Sequence, residues 1–323
     1  MSPLAHPSSS RSVAALDPAA IATAAARIAA VLPPTPLVFA PGRGAFLKLE
    51  NLQVTGAYKV RGAFNAVAAA VERGDRRPLL CASAGNHGLG VAWAARHFGR
   101  AATVVVPSGA AAGKVRGCRA LGAEVVTGGD DVEACLRSAA TLARARGARL
   151  LHPFDDADVI AGQATVAVEL LPFRPDVVLC PIGGGGLLAG TCAALKPHGI
   201  RVVGVQIEGL DRFRQISSSS WSSSSSSTPT LPPTLADGLR VATPGALPIA
   251  LTSGLLDDIV LVREHQIAAT VASLAVDEKI VAEGAGAASV AALPQVAGAR
   301  KVAIVSGGNI DAAVLAQLVR VAA

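Results

Sequence analysis

The chain has 323 residues, 51% of them hydrophobic but only 3% aromatic, and a formal net charge of +6. That length allows one large α/β unit or two packed lobes with a core of Ala, Val, Leu and Ile. Lys and Arg are scattered, with no dense basic run or interleaved aromatics, so nucleic-acid binding is unsupported. No apolar stretch reaches transmembrane length without a charge or a proline, which argues against a membrane partner.

In chain order, residues 1–16 are Ser-rich and proline-bearing and are expected to be disordered. Asp17 and Pro18 read as an N-cap and a first-turn proline, opening a helix that stops at Pro33-Pro34. Val60, Phe64, Val67 and Val71 mark one face of a helix after Lys59. Short apolar runs follow at 79–82, 102–106, 124–127, 176–182, 201–207, 259–262 and 302–305, separated by helical patterns such as 130–146. This alternation predicts parallel sheets covered by helices. In open α/β sheets, ligands bind beyond the carboxyl ends of the strands, so the loops there are the ones to search. The five cysteines, Cys81, Cys118, Cys135, Cys180 and Cys192, include no CxxC pair. They read as small buried hydrophobes of a reducing compartment, here the cytoplasm. Residues 217–230 are nearly all serine around Trp221 and read as a flexible insertion.

Four loops can carry chemistry. Ser83–Gly88 (SAGNHG) leads from a strand into a helix and suits an anionic group at free backbone N–H groups. Gly183–Gly186 follow another strand; glycines let several N–H groups turn toward one phosphate. Lys59 starts a helix in small, apolar surroundings, which disfavour its ammonium form and suit a Schiff-base amine. Ser306 closes the last strand and presents a neutral hydroxyl. A phosphate-bearing aldehyde cofactor accounts for all four. The rival reading is a nicotinamide-dependent oxidoreductase, from Gly184, Gly186 and Ala189 in a G-x-G-x-x-A pattern with Glu208 as the ribose-binding acid. It leaves Lys59 and the SAGNH loop without a role. His6, His97, His198 and His265 read as surface or helix-end residues, His152 as structural, and Asp155-Asp156 as a helix-capping turn.

The segments LKLENLQVTGAYKVRGAF, SAGNHGLGVA, HPFDDADVIAGQ, PIGGGGLLAG, ADGLRV, EGAGAAS and SGGN occur in one order over nearly the whole chain from about residue 17. In this the chain resembles the fold-type II pyridoxal-phosphate enzymes of the threonine/serine dehydratase group, which includes serine racemase. The resemblance implies two open, twisted, mostly parallel sheets: a large cofactor-binding domain (1–77 and 150–323) and a small mobile domain (78–149). It implies that Lys59 carries the cofactor and moves the Cα proton. Gly183, Gly184, Gly185 and Gly186 would hold its phosphate, Asn86 its ring hydroxyl and Ser306 its pyridine nitrogen, with Gly238 and Glu283 lining the same site. Ser83, Ala84, Gly85, Asn86 and His87 would bind the substrate carboxylate.

The implied reaction is β-elimination of water from L-threonine or L-serine, giving a 2-oxo acid and ammonia. A homodimer is the family expectation. Departures from the pattern bear on specificity. Ala57-Tyr58 replaces the usual Ser-Phe before the lysine, which keeps 3-hydroxyaspartate or a bulkier 3-hydroxy amino acid open as substrate. Ala84 stands where racemases carry a second serine, so racemisation is expected to be weak. Glu208 is a candidate ligand for a divalent cation, but Arg214 stands where a second acid is expected. A binding-only relative, with no turnover, is the remaining alternative.

Overall fold

The computed structural model describes residues 15–83, 85–218 and 231–322. Its elements begin with α1 (Pro18–Ala29), β1 (Leu37–Ala40), β2 (Ala45–Leu49), α2 (Lys59–Glu72), β3 (Leu79–Ala82), α3 (Asn86–His97), β4 (Ala102–Pro107) and α4 (Ala112–Ala120). They continue with β5 (Glu124–Gly129), α5 (Val132–Ala145), β6 (Arg149–Leu150), α6 (Ala157–Val168), β7 (Val177–Pro181), α7 (Gly186–Leu195), β8 (Arg201–Ile207) and α8 (Arg212–Ser218). The last are α9 (Ala246–Thr252), β9 (Asp258–Val262), α10 (Glu264–Val276), α11 (Gly284–Ala291), β10 (Lys301–Val305) and α12 (Ala312–Ala322).

Among the described residues, ten strands form two sheets. The larger has the order β1-β2-β10-β7-β8-β9 and the smaller β5-β4-β3-β6. Every pairing is parallel except β1 with β2. The short strand β6 pairs Arg149 with Leu79 and Leu150 with Leu80.

The strands lack alternation because both faces are covered. Along β7, Val177 and Leu179 join a core with α10 and α11, whereas Val178 and Cys180 join the opposite core with α6 and α7. The core of the smaller sheet draws in Val60, Phe64 and Val67 of α2. Val71, expected on the same face, is exposed, although Ala69 and Ala70 of the same turn are buried. All five cysteines are buried and free.

At the first helix, the Asp17 carboxylate accepts from the Ala19 N–H (2.8 Å), and Pro18 occupies the first turn where its missing N–H costs nothing. Asp156 caps α6 in the same way, accepting from the Asp158 and Val159 N–H groups (2.9 and 3.2 Å). Asp155 accepts from the Leu247 and Ala246 N–H groups at the start of α9 (2.8 and 3.3 Å). The acid pair is therefore two caps. α8 extends through Ser217 and Ser218, so the serine run begins in helix; residues 219–230 with Trp221, like 1–14 with His6, lie outside the described residues.

Helix α2, which carries Lys59, is held from two sides. A Cβ on Gly162 of α6 would stand 2.6 Å from the Arg61 carbonyl oxygen, and one on Gly90 of α3 would stand 3.1 Å from the Lys59 carbonyl. Close backbone approach requires glycine at 162 and favours it at 90. The fully buried Arg61 guanidinium meets both oxygens of the buried Glu50 (2.8 Å each) and both oxygens of Glu169 (2.6 and 3.1 Å). Lys48 adds a 2.5 Å bond to Glu169, and Thr35 donates to Glu50 at 2.5 Å. Buried charges persist only when paired and hydrogen-bonded as fully as these.

Candidate active site

Loops after β2, β3, β7 and β10 meet at one cavity between the two sheets. Its lining includes Lys59, Ser83, Asn86, Gly183–Gly186, Glu283 and Ser306. The meeting is enforced by backbone. The Tyr58 N–H donates to the Ser306 carbonyl (3.1 Å), and the Gly308 N–H donates to the Gly56 carbonyl (2.8 Å). Ala57 and Gly307 form an isolated antiparallel bridge between these contacts. The loop before Lys59 is thus stapled to the loop after β10, and Lys59 and Ser306 cannot drift apart.

The Lys59 Nζ donates to the Pro153 carbonyl (2.9 Å) and stands 5.2 Å from the Tyr58 ring centroid. Burial lowers its pKa from 10.5 to about 8. An amine this easily freed of its proton is a nucleophile near neutral pH. The neighbouring Tyr58 phenol is pushed up by burial and stays protonated.

The glycine loop leads into α7, whose N-cap Gly185 has φ 95° and which no side chain among the described residues caps. Its first N–H groups are left for a ligand. The glycines are required from beneath: a Cβ on Gly186 would meet Phe154 at 3.0 Å, one on Gly183 would meet the Gly238 carbonyl at 2.8 Å, and one on Gly184 would enter the Phe154 ring.

Helix α3 likewise begins uncapped at Asn86, behind Gly85, whose N–H donates to the Ser83 hydroxyl (3.0 Å). The orientation of the Asn86 amide follows from its partners. Asn309 Nδ2 donates to the Thr55 carbonyl (2.8 Å) and to Asn86 Oδ1 (2.9 Å). Asn86 Nδ2 then faces Glu283 Oε1 (2.5 Å) and keeps a second hydrogen for another acceptor. The Glu283 carboxyl, pushed up by burial, has Lys114 Nζ 3.7 Å from its other oxygen. Lys114 also meets Asp237 (3.0 Å); burial opposes its charge, but Glu283 and Asp237 outweigh that and raise its pKa.

His87 is buried, its Nε2 3.2 Å from the Leu151 carbonyl. Burial pulls its pKa to about 3, so the ring is neutral. With the proton on Nε2 toward that carbonyl, Nδ1 is an acceptor with no partner among the described residues. The Ser306 hydroxyl donates at 3.3 Å to the Ala285 carbonyl.

Of the residues singled out from sequence, Lys59, Ser83, Gly85, Asn86, His87, Gly183–Gly186, Gly238, Glu283 and Ser306 all line this cavity, and Ala84 lies outside the described residues. Glu208 does not line it: the side chain is exposed and paired with Arg263 (2.9 Å). Arg214 is paired with Asp211 (2.8 Å), and among the described residues no group of three His, Cys, Asp or Glu could hold a metal ion. Sequence reasoning missed Lys114, Asp237, Asn309 and Phe154. Asp237, Asn309 and Phe154 sit inside ADGLRV, SGGN and HPFDD. Lys114 carried no signal beyond an ordinary helical lysine.

A reactive buried lysine, an uncapped glycine-rich helix start and a neutral hydroxyl, all at strand ends, define a site for an aldehyde cofactor with a phosphate. Sequence comparison agrees: the profile of the family described as pyridoxal-phosphate dependent enzyme matches residues 28–307. The chain belongs to that family. It is 41% identical over 277 residues to an L-threonine ammonia-lyase of Thermotoga maritima, covering 84% of this chain and 68% of that protein. It is 38% identical over 283 residues to the catabolic L-threonine dehydratase TdcB of Escherichia coli, covering 84% of this chain and 85% of that protein. Maize serine racemase superposes with a TM-score of 0.86 at 31% identity, covering 94% of this chain and 97% of that one. Family membership overturns the nicotinamide alternative. Glu208 points to Arg263 at the surface, and Gly184 and Gly186 share their cavity with Lys59.

Proposed function

We propose that the chain is a pyridoxal-phosphate-dependent ammonia-lyase acting on L-threonine and L-serine. The observation that carries the reading is that Lys59, with its amine near pH 8, shares one cavity with Gly183–Gly186 and the neutral Ser306. The names of the two similar curated proteins favour threonine. The residues present fit the cofactor. Lys59 would hold its aldehyde carbon, and the N–H groups at the start of α7 would take its phosphate. The spare Asn86 hydrogen would serve its ring oxygen, and the Ser306 hydroxyl would serve its ring nitrogen. Bound there, pyridoxal phosphate supplies an electrophilic carbon and a ring that accepts electron density.

The protein groups do the rest. The start of α3 binds the substrate carboxylate through its free N–H groups. Lys59 takes the Cα proton, with the Pro153 carbonyl holding its amine. Ser306, uncharged, would offer the ring nitrogen a hydrogen bond but no ionic partner, which would favour loss of the β-hydroxyl over return of the proton. The Cα–H and Cβ–O bonds break, water leaves, and hydrolysis of the resulting enamine gives a 2-oxo acid and ammonia.

Residues 78–149 act as the small domain that closes over the substrate, supported by the Lys114–Asp237 pair across the cleft. The assembly is a homodimer; the exposed Leu52, Val54 and Val281 supply apolar surface for it. The compartment is the cytoplasm, supported by five free buried cysteines. Among the described residues no helix is long and apolar enough to cross a membrane.

The test is 2-oxo acid release from L-threonine, L-serine, both 3-hydroxyaspartate diastereomers and 3-phenylserine, each with and without magnesium. Release from threonine or serine that is lost in Lys59→Ala supports the reading. A yellow, folded protein silent across the panel leaves a binding-only relative. Sedimentation velocity decides the dimer.

A further inference from the structure

Residues 152–156 touch the reactive amine, the glycine loop and two helix ends. The Pro153 carbonyl accepts from Lys59 Nζ at 2.9 Å. Phe154 lies under Gly184 and Gly186, where added Cβ atoms would collide with it. Asp155 caps α9 and Asp156 caps α6. Downstream, then, two carboxylates pin the turn. At its start, it is the His152 imidazole that closes it: Nδ1 accepts from the Asp155 N–H (2.9 Å) and lies 3.4 Å from the Phe154 nitrogen. Nδ1 therefore carries no proton, and the ring is the neutral Nε2–H tautomer. The ring packs edge-on against Phe154, with centroids 4.7 Å apart at 88°.

We propose that His152 is a positioning residue for Lys59: its Nδ1 closes the turn that aims the Pro153 carbonyl at the lysine amine. Pro153 is the residue between His152 and the bonded N–H groups, so its carbonyl direction depends on whether that turn is closed. The same turn carries Phe154, which shapes the floor of the glycine loop. One imidazole acceptor thereby couples the place of the amine to the place of the phosphate cradle. Only the turnover part of this inference rests on the lyase reading.

The test compares His152→Phe with His152→Asn in the full-length protein. Phe keeps a ring against Phe154 and removes the acceptor; Asn places an amide oxygen where Nδ1 stood. Three readouts are taken: amide hydrogen exchange at Asp155, the rate at which visible absorbance appears when pyridoxal phosphate is added to the apoprotein, and the split between kcat and KM on L-threonine. In His152→Phe the Asp155 amide exchanges at least tenfold faster, attachment slows about tenfold, and kcat falls about tenfold with KM within twofold. His152→Asn recovers all three to within about threefold. Wild-type behaviour of His152→Phe in exchange and attachment overturns the proposal, as does a His152→Asn as impaired as His152→Phe. Should His152→Phe not fold, an Asp155 amide that exchanges freely in the unmodified protein overturns it equally. If the unmodified protein releases no 2-oxo acid, the lyase reading fails, while attachment and exchange still decide the role of His152.

Discussion

The chemistry at the residue scale is set by what burial does to one amine. Holding Lys59 near 8 rather than 10.5 corresponds to an unfavourable burial of the ammonium on the order of 3 kcal/mol at neutral pH. The folded pKa lies below the unfolded one, so between pH 8 and 10.5 the unfolded chain binds more protons and stability rises with pH. Apoprotein unfolded by urea at pH 7 and pH 10 is expected to gain stability at the higher pH through this group. Lys59→Met removes that part of the slope and makes the pH 7 apoprotein more stable by up to about 3 kcal/mol, while abolishing turnover. Asn309 is a second residue-scale case. It fixes the Asn86 amide through Oδ1 without lining the cavity itself. Asn309→Ala frees that amide to turn, and the Kd for pyridoxal phosphate, read by absorbance titration, should rise about tenfold, the loss of roughly one hydrogen bond. Lys59 stood out in the sequence as a lysine among small residues at a helix start. Asn309 did not, because its role lies in two bonds to segments more than 200 residues away.

Among the elements, the site depends on helices packed closer than any side chain allows. A methyl on Gly162 would meet the Arg61 carbonyl oxygen at 2.6 Å and Gly62 Cα at 2.6 Å. Gly162→Ala is therefore expected to destabilise by about 1–3 kcal/mol despite the better helix propensity of alanine. Gly113 in α4 is the control: a Cβ there meets only the far end of Arg116, at 3.9 Å. Gly113→Ala should stabilise by up to about 1 kcal/mol. Urea midpoints of the two variants moving in opposite directions would verify the argument; the same direction for both would refute it. The strands and helices themselves were legible, since runs such as 79–82 and 201–207 match β3 and β8 residue for residue. The fate of residue 71 was not, because helical periodicity gives a face but not which of its residues a neighbour covers.

Across the whole molecule, two charge clusters do different work. Arg61, Glu50, Glu169 and Lys48 tie α2 to β2 and α6 in the interior. Arg61→Met leaves the buried Glu50 without its cation and should cost about 3–5 kcal/mol, lowering the urea midpoint. Lys114, by contrast, reaches from α4 beside the smaller sheet to Asp237 and Glu283 on the larger. Lys114→Met loosens this crossing, so KM for threonine should rise several-fold with a smaller change in kcat; an unchanged KM would deny Lys114 that role.

What the sequence determined by itself were the features written in local order: the alternation of strands and helices, the glycine loop, the anion loop and the lysine at a helix start. These follow from the propensities of neighbouring residues, and their order along the chain carried the family. Only the tertiary structure decided which groups meet. It sent Glu208 to Arg263 and away from the glycine loop, took Asp155 to the distant start of α9, and brought Lys114 and Asn309 to the Asn86–Glu283 pair. The physical reason is that desolvation and charge pairing depend on distance in space. Folding sets that distance between residues whose separation along the chain says nothing about it.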